Sequence, residues 1–173
     1  MILSDSTLHE FARNGLVSPY EPENIQGCSI DLTLGDTIKV ETPKGFNSVF
    51  EEIEIKSNPF LLMPGQFVLA STAEKIKVPN NHCASLLLRS TAARAGFEHS
   101  FSGWCDPGFE GELVLELRNN LQNHTLELMA GMRLVQLVVH KLDRNASSYE
   151  LRGHYQHQRG VVESNNFFDR LAA

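Results

Sequence analysis

Along much of the chain hydrophobic and polar residues alternate with a period of two, the spacing that places successive side chains on opposite faces of a β-strand. Ile30, Leu32 and Leu34 alternate with Ser29, Asp31 and Thr33, and further β-prone runs occupy 66–72, 74–78, 82–88, 112–118 and 132–141. Turn-forming residues punctuate these runs: Gly35-Asp36, Pro43-Lys44-Gly45, Pro64-Gly65, Pro79-Asn80-Asn81, Asp106-Pro107-Gly108 and Ala130-Gly131. Short strands so spaced predict a closed or sandwiched all-β domain. One helix is expected near the start, where Ser4 to Ser6 offer N-cap hydroxyls, Leu8 and Phe11 share a face and Gly15 supplies a stop. The stretch 143–173 is polar, His-rich and weakly periodic, and is read as a C-terminal lid segment that orders over a ligand.

Composition narrows the class. The 173 residues suit one domain, 1–173, with a buried core, and 42% hydrophobic with 21% charged residues is the balance of an ordinary soluble globular protein. No apolar run approaches the roughly 18 residues that span a bilayer, so no membrane partner is expected. Met1-Ile2-Leu3-Ser4-Asp5-Ser6 lacks the features of a secretory signal, which makes the cytoplasm the expected compartment. Cys28, Cys83 and Cys105 are odd in number and widely spaced, as fits reduced buried thiols. A net charge of −6 argues against nucleic acid as a partner, because backbone affinity comes from many Lys and Arg neutralising phosphates. A small phosphorylated ligand needs only a few well-placed arginines.

Several signatures of nucleotide and hydrolase chemistry are missing, among them Gly-x-x-x-x-Gly-Lys, Gly-x-Gly-x-x-Gly, Gly-x-Ser-x-Gly and His-Glu-x-x-His. The His-x-Glu and Pro-Cys-x-x-Cys pair that holds zinc in metal-dependent deaminases is missing too. Two blocks do carry chemistry. Arg89-Ser90-Thr91-Ala92-Ala93-Arg94 follows an apolar strand and sets guanidinium forks beside hydroxyls, which suits either a phosphate cradle or a solvated polar turn. The run Glu112 to Arg118 puts Leu113, Leu115 and Leu117 on one face and Glu112, Val114, Glu116 and Arg118 on the other. If that second face lines a pocket, Glu116 is a candidate acid/base; if it is solvated, Glu116 is an ordinary surface residue, and spacing does not decide. His154-x-x-His157 is too weak a pair to assign a metal ligand.

Taken together, the blocks resemble the dCTP deaminases of the trimeric dUTPase superfamily over most of the chain. Gly27-Cys28-Ser29-Ile30-Asp31-Leu32-Thr33-Leu34-Gly35 is similar to that family's early strand motif, and Leu62-Met63-Pro64-Gly65-Gln66 to the segment before its central strands. Arg89 to Gly96 is similar to its Arg-Ser-Ser-x-x-Arg-x-Gly motif, and Asp106-Pro107-Gly108-Phe109 to its Asp-Pro-Gly-aromatic turn. The resemblance implies a mainly β chain, a distorted β-barrel or jelly-roll-like dUTPase fold with a short N-terminal helix. It implies Glu116, Ser90 and Arg94 as catalytic residues. It also implies nucleotide contacts from Arg89, Ser90, Thr91, Ala92, Ala93, Arg94, Asp106, Val114, Leu115, Glu116, Gln136, Tyr149 and Gln158. The chain departs from the family pattern after Gly160, where Val161-Val162-Glu163-Ser164 replaces the usual Pro, and at His99-Ser100-Phe101-Ser102-Gly103-Trp104-Cys105 before Asp106.

The activity so implied is zinc-independent hydrolysis of dCTP to dUTP and ammonia in pyrimidine deoxynucleotide metabolism. Mg²⁺ arrives with the triphosphate, and the assembly is a homotrimer with sites between subunits. dUTP and dTTP are further ligands of that family. Two relatives compete. A dUTPase typically has an aliphatic residue where Glu116 stands. A bifunctional deaminase-dUTPase forms dUMP and pyrophosphate, and Gly103-Trp104 before Asp106 looks like such members. A non-catalytic nucleotide-binding regulator is the alternative of a different class, and the set Ser90, Arg94 and Glu116 argues against it.

Overall fold

A computed structural model describes residues 1–44, 47–100 and 103–164. The elements run α1 (Asp5–Arg13), β1 (Val17–Ser18), β2 (Ile30–Lys44), β3 (Asn47–Glu54), β4 (Phe60–Leu62), β5 (Phe67–Lys77), β6 (His82–Leu88), α2 (Ser90–Ala95), β7 (Phe97–His99), β8 (Trp104–Cys105), β9 (Glu110–Asn119), β10 (Leu126–Leu128) and β11 (Arg133–Lys141). Short 3₁₀ turns cover Pro22–Asn24 and Tyr149–Leu151. Among the described residues no helix is long and apolar enough to cross a membrane.

Nine strands form one curled half-barrel sheet in the order β7-β9-β5-β2-β11-β6-β8, with β1 on β5 and β3 on β2; β4 and β10 make a separate pair. The curl comes from β2. Its start, Ile30 to Thr33, pairs with β11, and the rest leaves β11 to pair with β5 and β3. At the change of partner the Thr33 N–H donates to the Glu74 carboxylate at 3.0 and 3.1 Å, and the Thr33 hydroxyl donates at 2.8 Å. A buried side chain therefore supplies what the ladder loses there. Burial raises the pKa of Glu74, and the Thr33 bonds oppose that shift.

Alternation builds the core. Leu32 and Leu34 of β2, Val68 and Ala70 of β5, Leu115 and Leu117 of β9 and Val135 and Leu137 of β11 are all buried in one cluster that closes over Leu8 of α1. Each large aliphatic side chain so buried contributes about 1.5–3 kcal/mol relative to exposure.

The helix and the runs at 82–88, 112–118 and 132–141 lie where the alternation places them. Three differences are physical. The runs 66–72 and 74–78 are one strand, because a register shift between Ser71 and Lys75 absorbs the break in periodicity without ending the strand. The first run extends fifteen residues and returns as β3, a hairpin whose alternation is confined to two short charged stretches; Gly45 of its expected turn lies outside the described residues. The Ser90 block, which suits either a phosphate cradle or a solvated polar turn by sequence, is a short helix capped by Gly96 at φ +103°.

Candidate active site

Strand β9 presents its two faces as its alternation requires. Leu113, Leu115 and Leu117 enter the core, while Val114 and Glu116 stand half-buried on a cleft of about 510 Å³. Leu69, opposite Glu116 in the ladder, and Phe67 form the floor beside Phe50 of β3. Asp106 and Phe109 close one side, and Tyr149, Tyr155 and Gln158 close another. The face that spacing left open between pocket and solvent is a pocket wall because the chain beyond β11 lies against it.

Glu116 is 26% exposed, and its Oε2 lies 3.5 Å from Nε2 of His99, whose ring is only 5% exposed. Among the described residues that Nε2 has no hydrogen-bond partner. Burial lowers the His99 pKa more than the Glu116 charge raises it, so the imidazole is neutral near pH 7. The backbone beneath is fixed, since the Ser100 N–H donates to Glu116 O at 3.1 Å. The cleft therefore combines a partly exposed carboxylate, backed by a buried neutral imidazole, with aromatic walls, which suits proton transfer to and from a planar base.

The turn that carries Asp106 is pinned by its backbone. Phe109 N donates to Asp106 O at 3.1 Å, Gly108 N to Val78 O at 3.0 Å, and Tyr149 N to Pro107 O at 2.7 Å. Gly108 adopts φ +82°, and a side chain there would collide with the Ser148 hydroxyl, so the sequence needs glycine at this point. Phe109 is buried and meets the Tyr149 ring edge-on at 5.6 Å. The Asp106 side chain is exposed, and Oδ1 accepts from the Trp104 indole N–H at 3.1 Å.

The segment after residue 143 is stitched along β9. Glu112 N donates to Gln158 O at 3.0 Å, Gln158 Nε2 to Glu112 O at 2.7 Å and His157 N to Glu110 O at 2.7 Å. Gln156 bridges strand and turn, accepting from Glu110 N at 3.1 Å and donating to Gly108 O at 2.9 Å. The Tyr149 hydroxyl accepts from Tyr155 N at 3.3 Å. Glu163 reaches Lys39 of β2 at 2.8 Å.

The remaining expected residues sit elsewhere. Ser90, Thr91, Ala93 and Arg94 are exposed on α2 and do not line this cleft. The Ala92 side chain is in the core, as is that of Leu115, which leaves each of them only its backbone for contact with a ligand. Arg89 is held by the buried Asp31, Nε to Oδ2 at 3.2 Å, and donates to Arg133 O at 3.3 Å. Burial raises the Asp31 pKa, while Arg89 and Arg133 pull it down. Gln136 accepts from the Ser29 hydroxyl at 3.1 Å and donates to Leu88 O at 3.3 Å. One chain thus carries two groups: Asp106, Val114, Glu116, Tyr149 and Gln158 on the cleft, and Arg89 to Arg94 with Gln136 away from it.

Sequence reasoning did not find Tyr155 or Phe50 on the cleft, nor the buried His99 behind Glu116. The short strand that carries His99 has no period to read, and Phe50 belongs to the unexpected hairpin. Among the described residues no group of three His, Cys, Asp or Glu side chains is placed to hold a metal ion.

A family model described as dCTP deaminase-like matches residues 2–142. The chain belongs to that family. A protein of Sulfurihydrogenibium sp. named "dCTP deaminase, dUMP-forming" is 38% identical, over 98% of this chain and 99% of its own length. One of the same name from Aquifex aeolicus is 38% identical over 98% and 97%. Among solved structures, the 2′-deoxycytidine 5′-triphosphate deaminase from Agrobacterium tumefaciens superposes with a TM-score of 0.67 at 18% identity, covering 80% of this chain and 47% of that one, which establishes the shared fold. The family match ends at residue 142, so the segment that walls the cleft lies beyond it.

Proposed function

We propose that this chain deaminates dCTP and hydrolyses the resulting triphosphate in the same cleft, releasing dUMP, ammonia and pyrophosphate. The observation that carries the reading is that Glu116 and Asp106, on neighbouring elements, both open into one aromatic-walled cleft. Glu116 takes a proton from water, the hydroxide attacks C4 of cytosine, and Glu116 passes that proton to ring N3; it then carries the proton of the new C4 hydroxyl to the amine, which leaves as ammonia while the carbonyl forms. Asp106 holds the deoxyribose 3′-hydroxyl and then accepts the proton of a second water that attacks the α-phosphorus. The resemblance alone puts dUTP first as product; the dUMP-forming name shared by relatives across nearly the whole chain supports the second hydrolysis instead.

Ser90 and Arg94 are exposed on α2, away from the cleft of their own chain, which supports a homotrimer in which a neighbouring copy brings them to Glu116. There Ser90 orients the attacking water, Arg94 fixes Ser90 and the carboxylate, and Arg89 meets phosphate. Gln136, Tyr149 and Gln158 complete the nucleotide contacts, the last two from a C-terminal lid. Mg²⁺ enters as part of the triphosphate substrate and screens its charge.

The test is to incubate the protein with dCTP and Mg²⁺, and separately with dUTP, and to separate the nucleotides by anion exchange. Appearance of dUMP and pyrophosphate from both substrates supports the reading; dUTP as the sole product from dCTP removes the second step. Glu116→Gln is expected to lose deamination by at least about a hundredfold, the usual scale of a general base, while still binding nucleotide. Deamination by that variant at near wild-type rate overturns the role given to Glu116.

A further inference from the structure

The Asp106 carboxylate poses a positioning problem. Its backbone is held by the hydrogen bonds of the turn, but its side chain is exposed, and the terminal torsion of an aspartate is broad. A carboxylate that must take a proton from one water, aimed at one phosphorus, gains from being held in one rotamer. Among the described residues the side-chain bond that holds it comes from Trp104, whose Nε1 donates to Oδ1 at 3.1 Å.

Trp104 is itself fixed. It lies in β8, with Ser85 of β6 opposite it in the ladder and Ala84 opposite Cys105. Its ring stacks on the His140 imidazole of β11 at 6.4 Å between centroids and 26° between planes, and Nε2 of His140 meets the Ser85 hydroxyl at 3.1 Å. A side chain at 57% exposure contributes little to the core, and a single exposed aromatic would need no explanation. Here the ring stands on the rim of the cleft, backed by an imidazole that is held in turn, with its one donor spent on the one carboxylate of the turn.

We infer that Trp104 is a positioning residue for the phosphate-hydrolysing step, setting the rotamer of Asp106 and so the partition between dUTP and dUMP. The inference rests on the two-step reading above. With Oδ1 occupied by the indole, Oδ2 both accepts from the 3′-hydroxyl and receives the proton of the attacking water. The new bond joins the water oxygen to the α-phosphorus, the bond from that phosphorus to the bridging oxygen breaks, and its electron pair leaves with pyrophosphate. Deamination uses Asp106 only to hold the deoxyribose 3′-hydroxyl and moves no proton through it, so its kcat depends on this rotamer less.

The test compares wild type, Trp104→Phe and Asp106→Asn with dCTP and with dUTP. Phenylalanine keeps an aromatic ring against His140 and removes the donor. The expected result is that kcat for dUTP hydrolysis falls about tenfold more than kcat for deamination, the size of one hydrogen bond to a charged group, so that dUTP accumulates from dCTP. KM for dUTP should change much less than kcat. Trp104 is also the single tryptophan of the chain, so its fluorescence reports the contact directly, and Asp106→Asn should shift the emission of the folded protein. Wild type that yields no dUMP removes the two-step reading and this inference with it. Wild type that yields dUMP beside a Trp104→Phe variant with an unchanged ratio of the two rates overturns the inference alone. Equal loss of both steps, or emission unmoved by Asp106→Asn, overturns it likewise.

Discussion

Gln156 carries a load that its place in a polar, His-rich stretch conceals. Its amide accepts from Glu110 N at 3.1 Å and donates to Gly108 O at 2.9 Å, joining the C-terminal segment to both the first residue of β9 and the turn that bears Asp106. Gln156→Met keeps the length of the side chain and deletes both bonds. Each such bond contributes about 0.5–1.5 kcal/mol, and because the site is only half-buried water replaces part of it, leaving a net loss of about 1–2 kcal/mol. That corresponds to opening of the segment about 5 to 30 times more often. Amide hydrogen exchange followed residue by residue is the assay: the Glu110 and Glu112 amides, which donate to Gln156 and Gln158 respectively, should exchange faster by that factor. Amides in β6 and β11, away from the segment, should not change. On the proposed function KM for dCTP should rise several-fold as well. A Glu110 amide that exchanges at the wild-type rate in Gln156→Met refutes the reasoning.

Other outcomes follow from the electrostatics. Hydrogen bonds from Lys75 and Lys77 lower the Glu110 pKa from its ordinary 4.5 to about 2, so its contribution to stability is present above pH 4.5 and is lost as pH falls towards 2. Glu110→Gln should therefore lower the urea midpoint at pH 7 and leave it nearly unchanged at pH 2; an equal loss at both pH values contradicts the assignment. Cys105 is buried with its thiol pushed up to about 12, and Cys83 is buried with its pKa raised, whereas Cys28 is exposed. A thiol reagent at pH 8 should label one cysteine in the native protein and three after unfolding; fast labelling of three without denaturant contradicts the burial.

Legibility in the sequence divides along physical lines. Alternation at 82–88, 112–118 and 132–141 located β6, β9 and β11 because each buries one face, and burial is what writes a period into a strand. The β2–β3 hairpin escaped because its alternating stretches are short, Ile38 to Glu41 and Glu52 to Ile55, with Glu51 on an apolar position of β3, and because β2 changes partners midway, which no local pattern records. At the site, motifs singled out Asp106 and Glu116, whose distance in sequence is short. Trp104, only two residues from Asp106, was within reach of the sequence; His99 meets Glu116 through strand pairing, and Gln156 meets backbone groups far along the chain. Such partners are properties of the pairing and carry no composition of their own. The placement of Ser90 and Arg94 away from the cleft was likewise invisible, since a motif specifies residue types and not the surface from which they point.

That separation has a genetic consequence. On the proposed trimer, a Glu116→Gln chain still offers sound Ser90 and Arg94, and a Ser90→Ala chain still offers a sound Glu116. Neither homotrimer holds a complete site, yet equal amounts of the two, unfolded and reassembled together, should recover about a quarter of the wild-type sites by random mixing. Two null alleles of this single gene would then complement each other in one cell, a behaviour ordinarily taken as the mark of two genes.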